Sequence, residues 1–133
     1  MSDSELMAIA ALARERSYSP YSNFAVGAAL LCEDGTVFTG CNIENASFTP
    51  TVCAERVAIF KAVSEGKRNF SAIAIIGGRH GEEAEMCAPC GVCRQVMSEF
   101  CGGDLRVIFG NTKKCREYKL CELLPLAFSK NEL

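Results

Sequence analysis

The order of structural signals along the chain is helix, hairpin, helix, strand, helix, strand, which predicts an α/β layered domain built on a mixed sheet. Two further observations support that class. The chain has 133 residues, 49% of them hydrophobic and 23% charged, which suits one sizeable core and is too little for two. The apolar run Ala72 to Ile76 is continuous rather than alternating, as in a central strand covered on both faces. The whole of 1–133 is therefore expected to form a single domain.

The elements follow from local chemistry. Ser2-x-x-Glu5 is a capping box, and Leu6, Ile9, Ala10 and Ala13 mark one apolar face of a first helix. Ser17 to Asn23 ends it, because Pro20 disfavours helix and the serines and Asn23 favour turns. Phe24 to Cys32 and Val37 to Asn42 read as two strands joined around Glu33-Asp34-Gly35, where Asp-Gly tolerates positive φ. Glu44 to Thr51 is polar, carries Pro50 and reads as a loop. A helix is expected from about Val52 to Ser64, with Val57, Phe60 and Val63 facing the core and Gly66 just past its end. After the Ala72 to Ile76 strand, Gly77 to Ala88 is rich in glycine and glutamate and reads as a solvated loop. Pro89 opens a further helix at its first turn, where a missing N–H costs nothing, and the helix ends near Phe100. Leu105 to Phe109 reads as another strand, Cys115 to Tyr118 as an edge strand and Cys121 to Leu124 as a helical turn.

Charge and composition exclude several functions. Fourteen basic against sixteen acidic side chains give −2, which argues against nucleic acid or an anionic membrane as partner. The longest apolar stretch, Ala25 to Cys32, is too short to span a bilayer. Met1-Ser2-Asp3-Ser4-Glu5 is acidic where a secretory signal would be basic. Nine cysteines stand beside one histidine, His80, to which no role is given. An odd thiol count without an export signal points to the reducing cytoplasm, where clustered thiols mean metal binding or catalysis.

The loops before the two later helices are expected to lie side by side at one sheet edge, where such folds place their sites. One carries Cys53-Ala54-Glu55-Arg56, the other Pro89-Cys90-Gly91-Val92-Cys93-Arg94-Gln95. Cys53, Cys90 and Cys93 can share one Zn²⁺ as thiolates at about 2.3 Å, leaving a tetrahedral position open for chemistry. Glu55 need not be a ligand and can move protons for a metal-activated water. Zinc with three thiolates carries a net negative charge. Arg56 is the natural offsetting cation, with Arg94 as second choice. A closed structural site of Cys53, Cys87, Cys90 and Cys93, in a zinc-stabilised interaction module, is the alternative from another class, and an iron–sulfur site using Cys87, Cys90 and Cys93 lacks its fourth cysteine. Cys32, Cys41, Cys101, Cys115 and Cys121 are expected to pack as small hydrophobes.

Cys-Ala-Glu together with Pro-Cys-Gly-x-Cys resembles the zinc nucleoside and nucleotide deaminases. With Phe24-Ala25-Val26-Gly27-Ala28-Ala29 and Asn42-Ile43-Glu44-Asn45, the segment Tyr21 to Pro125 is similar to the small, homotetrameric cytidine deaminase family. The resemblance implies a three-layer α/β/α fold with a mixed sheet of about five strands. It implies one zinc per subunit on Cys53, Cys90 and Cys93, and hydrolytic deamination of cytidine and deoxycytidine by zinc-activated hydroxide attacking pyrimidine C4, with release of ammonia, in pyrimidine salvage. Glu55 would carry a proton from the water to N3 and then to the departing amine. Asn42 and Glu44 would grip the ribose 3′-hydroxyl, the Ala54 N–H the base carbonyl, the Ala88 carbonyl the amine, and Phe24 would pack on the base. Phe48 stands where many members have a tyrosine aimed at a neighbouring subunit's ribose, and Phe128 resembles an aromatic residue contributed over a neighbour's base. Sites shared between subunits of a homotetramer are the consequence. Within the enzymes, the alternative substrate is a cytosine-bearing antibiotic such as blasticidin S.

Overall fold

A computed structural model describes all residues, Met1–Leu133. Its elements in chain order are α1 (Asp3–Arg14), β1 (Phe24–Cys32), β2 (Val37–Cys41), α2 (Ala54–Ser64), β3 (Phe70–Arg79), α3 (Gly91–Phe100), β4 (Arg106–Gly110), β5 (Cys115–Lys119) and α4 (Leu120–Leu123), with a 3₁₀ turn at Lys130–Glu132. The strands form one sheet in the order β2-β1-β3-β4-β5. β1 is antiparallel to both β2 and β3, β3 runs parallel to β4, and β4 is antiparallel to β5, so the sheet is mixed.

Strand alternation distributes the core between two faces. Ala28 and Leu30 of β1, Ile73 and Ile75 of β3, and Val107 and Phe109 of β4 pack with Ala58, Ile59 and Ala62 of α2 and Cys93 and Met97 of α3. Ala29, Ala72, Ala74, Ile76 and Ile108 on the opposite face pack with Leu6, Met7 and Ala10 of α1. The result is a three-layer α/β/α fold. The capping box at the start of α1 forms in both directions: Ser2 accepts from the Glu5 N–H, and Glu5 accepts from the Ser2 N–H.

Two glycines let the layers close. A Cβ at Gly27 would stand 2.1 Å from the Ala10 carbonyl oxygen, and one at Gly40 would stand 2.3 Å from the Ala54 carbonyl oxygen. Gly40 therefore brings the first turn of α2 directly onto β2. This close seating also explains a departure from the sequence pattern. The buried face of α2 is Ala54, Glu55, Ala58, Ile59 and Ala62, whereas Phe60 is 47% exposed and Val57 and Val63 are only half-buried. Ala54 and Ala58 fit against backbone at that distance, and the helix is thereby rotated so that Phe60 turns outward while Val63 still packs at the core's margin.

Other boundaries shift for equally local reasons. α2 begins at Ala54, because Val52 is held extended by a two-bond bridge with Ile43 (3.0 Å each way). Pro89 precedes the N-cap of α3 and so lies outside the helix it was expected to open. β3 continues to Arg79 because it pairs with β1 as far as Phe24↔Arg79, which places Gly77 and Gly78 in the strand. Cys115 and Cys121 are exposed rather than packed, because β5 is an edge strand and α4 a single turn beside it. The loops before α2 and α3 come together although β2 and β3, the strands that feed them, are not adjacent. β2 and β3 flank β1 and both oppose it, so their C-terminal ends point the same way with the start of β1 between them.

Candidate active site

That arrangement sets three pieces of chain side by side: the N-terminus of α2, the N-terminus of α3 and the first residue of β1, Phe24. Cys53 is the N-cap of α2 and Cys90 the N-cap of α3, both with extended backbone and neither spending its side chain on capping. Cys93 follows one turn later, fully buried. The three Sγ atoms lie within 4.8 Å of one another, with Cys53–Cys90 at 3.7 Å and Cys90–Cys93 at 3.5 Å. Sulfurs around a tetrahedral zinc at about 2.3 Å stand about 3.8 Å apart, close to the Cys53–Cys90 and Cys90–Cys93 separations, so the cluster suits that ion.

The surroundings favour thiolate at Cys53. Arg56 donates from Nη2 to the Cys53 sulfur at 3.5 Å, and its buried Nε–H has no acceptor within the chain. Hydrogen bonding from the Cys93 thiol lowers the Cys53 pKa to about 5 despite its burial, with Arg56 adding to the effect. The same interaction, together with burial, raises the Cys93 pKa. Arg94, the second candidate for offsetting thiolate charge, is engaged elsewhere: it donates to the carbonyls of Pro89 and Leu123.

Glu55 is 4% exposed on the first turn of α2. Burial, aided by the nearby Cys53 sulfur, raises its pKa to about 7. Its carboxyl faces a cavity of about 310 Å³ also lined by Phe24, Asn42, Glu44, Cys53, Ala88 and Cys90. As the first residue of α2, Ala54 has an N–H with no partner inside the helix. Cys87 is on the wall of this cavity but outside the three-sulfur cluster: its Sγ lies against Gly77, 2.8 Å from where a Cβ would be. Burial holds its thiol up at about 11. A closed four-cysteine site and an iron–sulfur site both need Cys87 among the ligands, and the fold turns it away.

Asn42 and Glu44 are held in defined polarity. Asn42 Oδ1 accepts from the Val26 N–H (2.9 Å) and the Ser17 hydroxyl, and Nδ2 donates to the Phe24 carbonyl (2.8 Å). One Nδ2 hydrogen is left over. Glu44 Oε1 accepts from the Tyr21 and Ser22 N–H groups at 2.9 and 3.1 Å, and Oε2 accepts from the Ser22 hydroxyl. These bonds hold its carboxyl below the usual glutamate range. The pair thus offers one donor and one acceptor, the complement of a single hydroxyl group. Ser17 and Ser22 join the site only through the fold. The available signal was turn chemistry, serines flanking Pro20 and a left-handed Asn23 (φ +57°), which does not say which carboxyl or amide a hydroxyl will reach.

Phe48 and Phe128 lie outside the cavity. Phe48 is 69% exposed with φ +63° and meets Tyr21 edge-on, ring centroids 6.0 Å apart. Phe128 is 60% exposed near the C-terminus, its carbonyl accepting from Gln95 Nε2 at 2.8 Å. Both residues are largely exposed. His80 lies on an exposed turn and is not part of the thiol cluster; its backbone N–H donates to the Asn23 carbonyl.

Residues 1–111 match the family described as the cytidine and deoxycytidylate deaminase zinc-binding region. A cytidine deaminase of Sporosarcina psychrophila is 51% identical over 130 residues, covering 97% of this chain and 93% of its own. One from Halalkalibacterium halodurans is 50% identical over 122 residues, 91% of this chain and 89% of its own. The crystal structure of cytidine deaminase from Burkholderia pseudomallei superposes with a TM-score of 0.88 at 47% identity, covering 96% of this chain and all of that one.

Proposed function

This chain belongs to the cytidine and deoxycytidylate deaminase family, and on that premise we propose that its cavity binds cytidine and deoxycytidine and hydrolyses the 4-amino group, leaving the uridines and ammonia. The enzyme is a zinc-dependent hydrolase of that family. The observation that carries the assignment of roles is a buried carboxyl, Glu55, opening onto the same small cavity as three converging thiols.

Cys53, Cys90 and Cys93 would hold the metal. Bound zinc supplies the Lewis acidity that makes a water nucleophilic near neutral pH. Glu55 takes a proton from the attacking water and delivers it to pyrimidine N3. As the C4–O bond forms and the C4–N4 bond breaks, Glu55 passes the water's second proton to the amine, which leaves as ammonia. Phe24 packs on the base, the Ala54 N–H binds its carbonyl and the Ala88 carbonyl receives the amine. Asn42 and Glu44, with one free donor and one free acceptor, hold the 3′-hydroxyl. Arg56 offsets the thiolate charge.

The same reading takes 1–133 as one domain, acting in the cytoplasm as a homotetramer, with nucleosides rather than nucleic acid or membrane as partners. Nine unpaired cysteines and a charge of −2 support the compartment and the small substrate. No helix is long and apolar enough to cross a membrane. The exposed rings of Tyr21, Phe48 and Phe128 support contacts with neighbouring subunits. Metal content measured alongside cytidine turnover, before and after chelation and on adding zinc back, tests the function. Full turnover by metal-free protein would refute it.

A further inference from the structure

We propose that Arg94 is a positioning residue, tying the metal-ligating turn at Pro89–Cys90 to the C-terminal segment that carries Phe128. The proposal rests on the functional reading above, in which Cys90 is a ligand and Phe128 serves a neighbouring subunit, and adds a residue that touches neither metal nor substrate. Its guanidinium donates from Nε to the Pro89 carbonyl at 2.8 Å and from Nη1 to the Leu123 carbonyl at 2.7 Å. The next residue, Gln95, donates from Nε2 to the Phe128 carbonyl at 2.8 Å. One turn of α3, directly after the two cysteines, thus grips both segments.

The local backbone explains why such a grip is needed. Proline contributes no N–H, and Cys90, the N-cap of α3, has no side-chain capping bond because its thiol is turned to the other sulfurs. The entry to α3 therefore lacks the usual side-chain cap. Arg94 holds that entry from inside the helix, while its own N–H closes the first helical bond to the Cys90 carbonyl at 3.0 Å. The Ala88 carbonyl, assigned to the substrate amine, lies one residue before the anchored Pro89 carbonyl. At the other end, Leu123 is the last residue of α4, so its carbonyl has no partner within that helix. Beyond it the chain turns through Leu126 (φ +52°) toward Phe128. A planar guanidinium can serve two carbonyls in fixed directions at once, whereas a lysine ammonium is a single point on a flexible stem. Arg94 thereby holds the cysteine turn and the end of α4 together, whereas Gln95 secures only the tail beyond it.

The test compares zinc-loaded full-length wild type, Arg94→Gln, Arg94→Lys and Gln95→Leu. One readout is the rate of zinc transfer to a chromophoric chelator; the other is trypsin cleavage after Lys130. Arg94→Gln should release zinc roughly 10–100-fold faster than wild type and be cut faster at Lys130. Gln95→Leu, which loosens only the tail, should be cut faster yet release zinc at the wild-type rate. Should Arg94→Gln fail to fold, Arg94→Lys carries the same two readouts. Wild-type zinc release in both Arg94 variants overturns the proposal, as does equal acceleration by Gln95→Leu. A wild-type chain that takes up no zinc or leaves cytidine unchanged refutes the functional reading instead, so the two failures are distinct.

Discussion

Arg56 Nη2 stands 3.5 Å from the Cys53 sulfur, so the first turn of α2 presents a thiol and a cation side by side within one four-residue span. Three thiolates leave zinc with net negative charge, a poor state for drawing electrons from a water. Arg56→Gln is expected to lower kcat roughly 10–100-fold with bound zinc retained. Unchanged kcat would mean that the thiolate charge is offset elsewhere.

Glu55→Gln keeps the size and burial of the side chain but removes its capacity to take up and release protons. Turnover should fall roughly 10²–10⁴-fold or more, with one zinc per chain still present by elemental analysis. Near-normal cytidine turnover would remove Glu55 from the proton path.

Cys87→Ser separates an open three-thiol site from a closed four-thiol one. Because the Cys87 sulfur is turned toward Gly77, away from the cluster, zinc stoichiometry and its retention against a chelator should match wild type. Zinc loss in this variant would restore the structural-zinc reading.

Gly40→Ala tests the seating of α2. Its new methyl group would meet the Ala54 carbonyl and the Ala58 nitrogen, at 2.3 and 2.6 Å, and backbone cannot move aside as a flexible side chain could. A loss of about 1–3 kcal/mol in stability is expected from denaturant titration, with a larger effect on kcat than Ala substitution at exposed Phe60. Equal stability to wild type would show that α2 can lift from β2 freely.

The nucleoside assignment predicts a clear preference for cytidine over blasticidin S when both are assayed at equal concentration. Asn42→Ala should raise KM for cytidine more than for its 3′-deoxy analogue, because the lost donor has no hydroxyl to serve in the latter. Equal effects on both would place the Asn42 amide outside the sugar site.

Some parts of this molecule were legible because their causes are local. The Ser2/Glu5 cap, the Asp34-Gly35 turn with Gly35 at φ +92°, and the paired Cys-Ala-Glu and Pro-Cys-Gly-x-Cys segments each state their geometry within a few residues. Other parts were not, because partners distant in sequence decide them. Periodicity points Phe60 inward, yet α2 rests its Ala54 and Ala58 backbone on Gly40 and Phe60 is left 47% exposed. Val52 reads as helix until its bridge to Ile43 is seen. Arg94 was legible as a cation near the cysteines, but which carbonyls it reaches depends on where α4 returns to α3.

The sequence by itself determined the chemical inventory: clustered thiols on two segments, with a glutamate and an arginine beside them, in a pattern that resembles the zinc deaminases. Only the tertiary structure decided which groups share a cavity. It places β2 and β3 on either side of β1 so that two helix N-termini face one another, excludes Cys87, and fixes the polarity of Asn42 and Glu44 through Ser17 and Ser22. The reason is physical. Ligand identity follows from side-chain chemistry carried in each residue, whereas the direction in which a donor points is set by contacts between segments brought together only when the sheet forms.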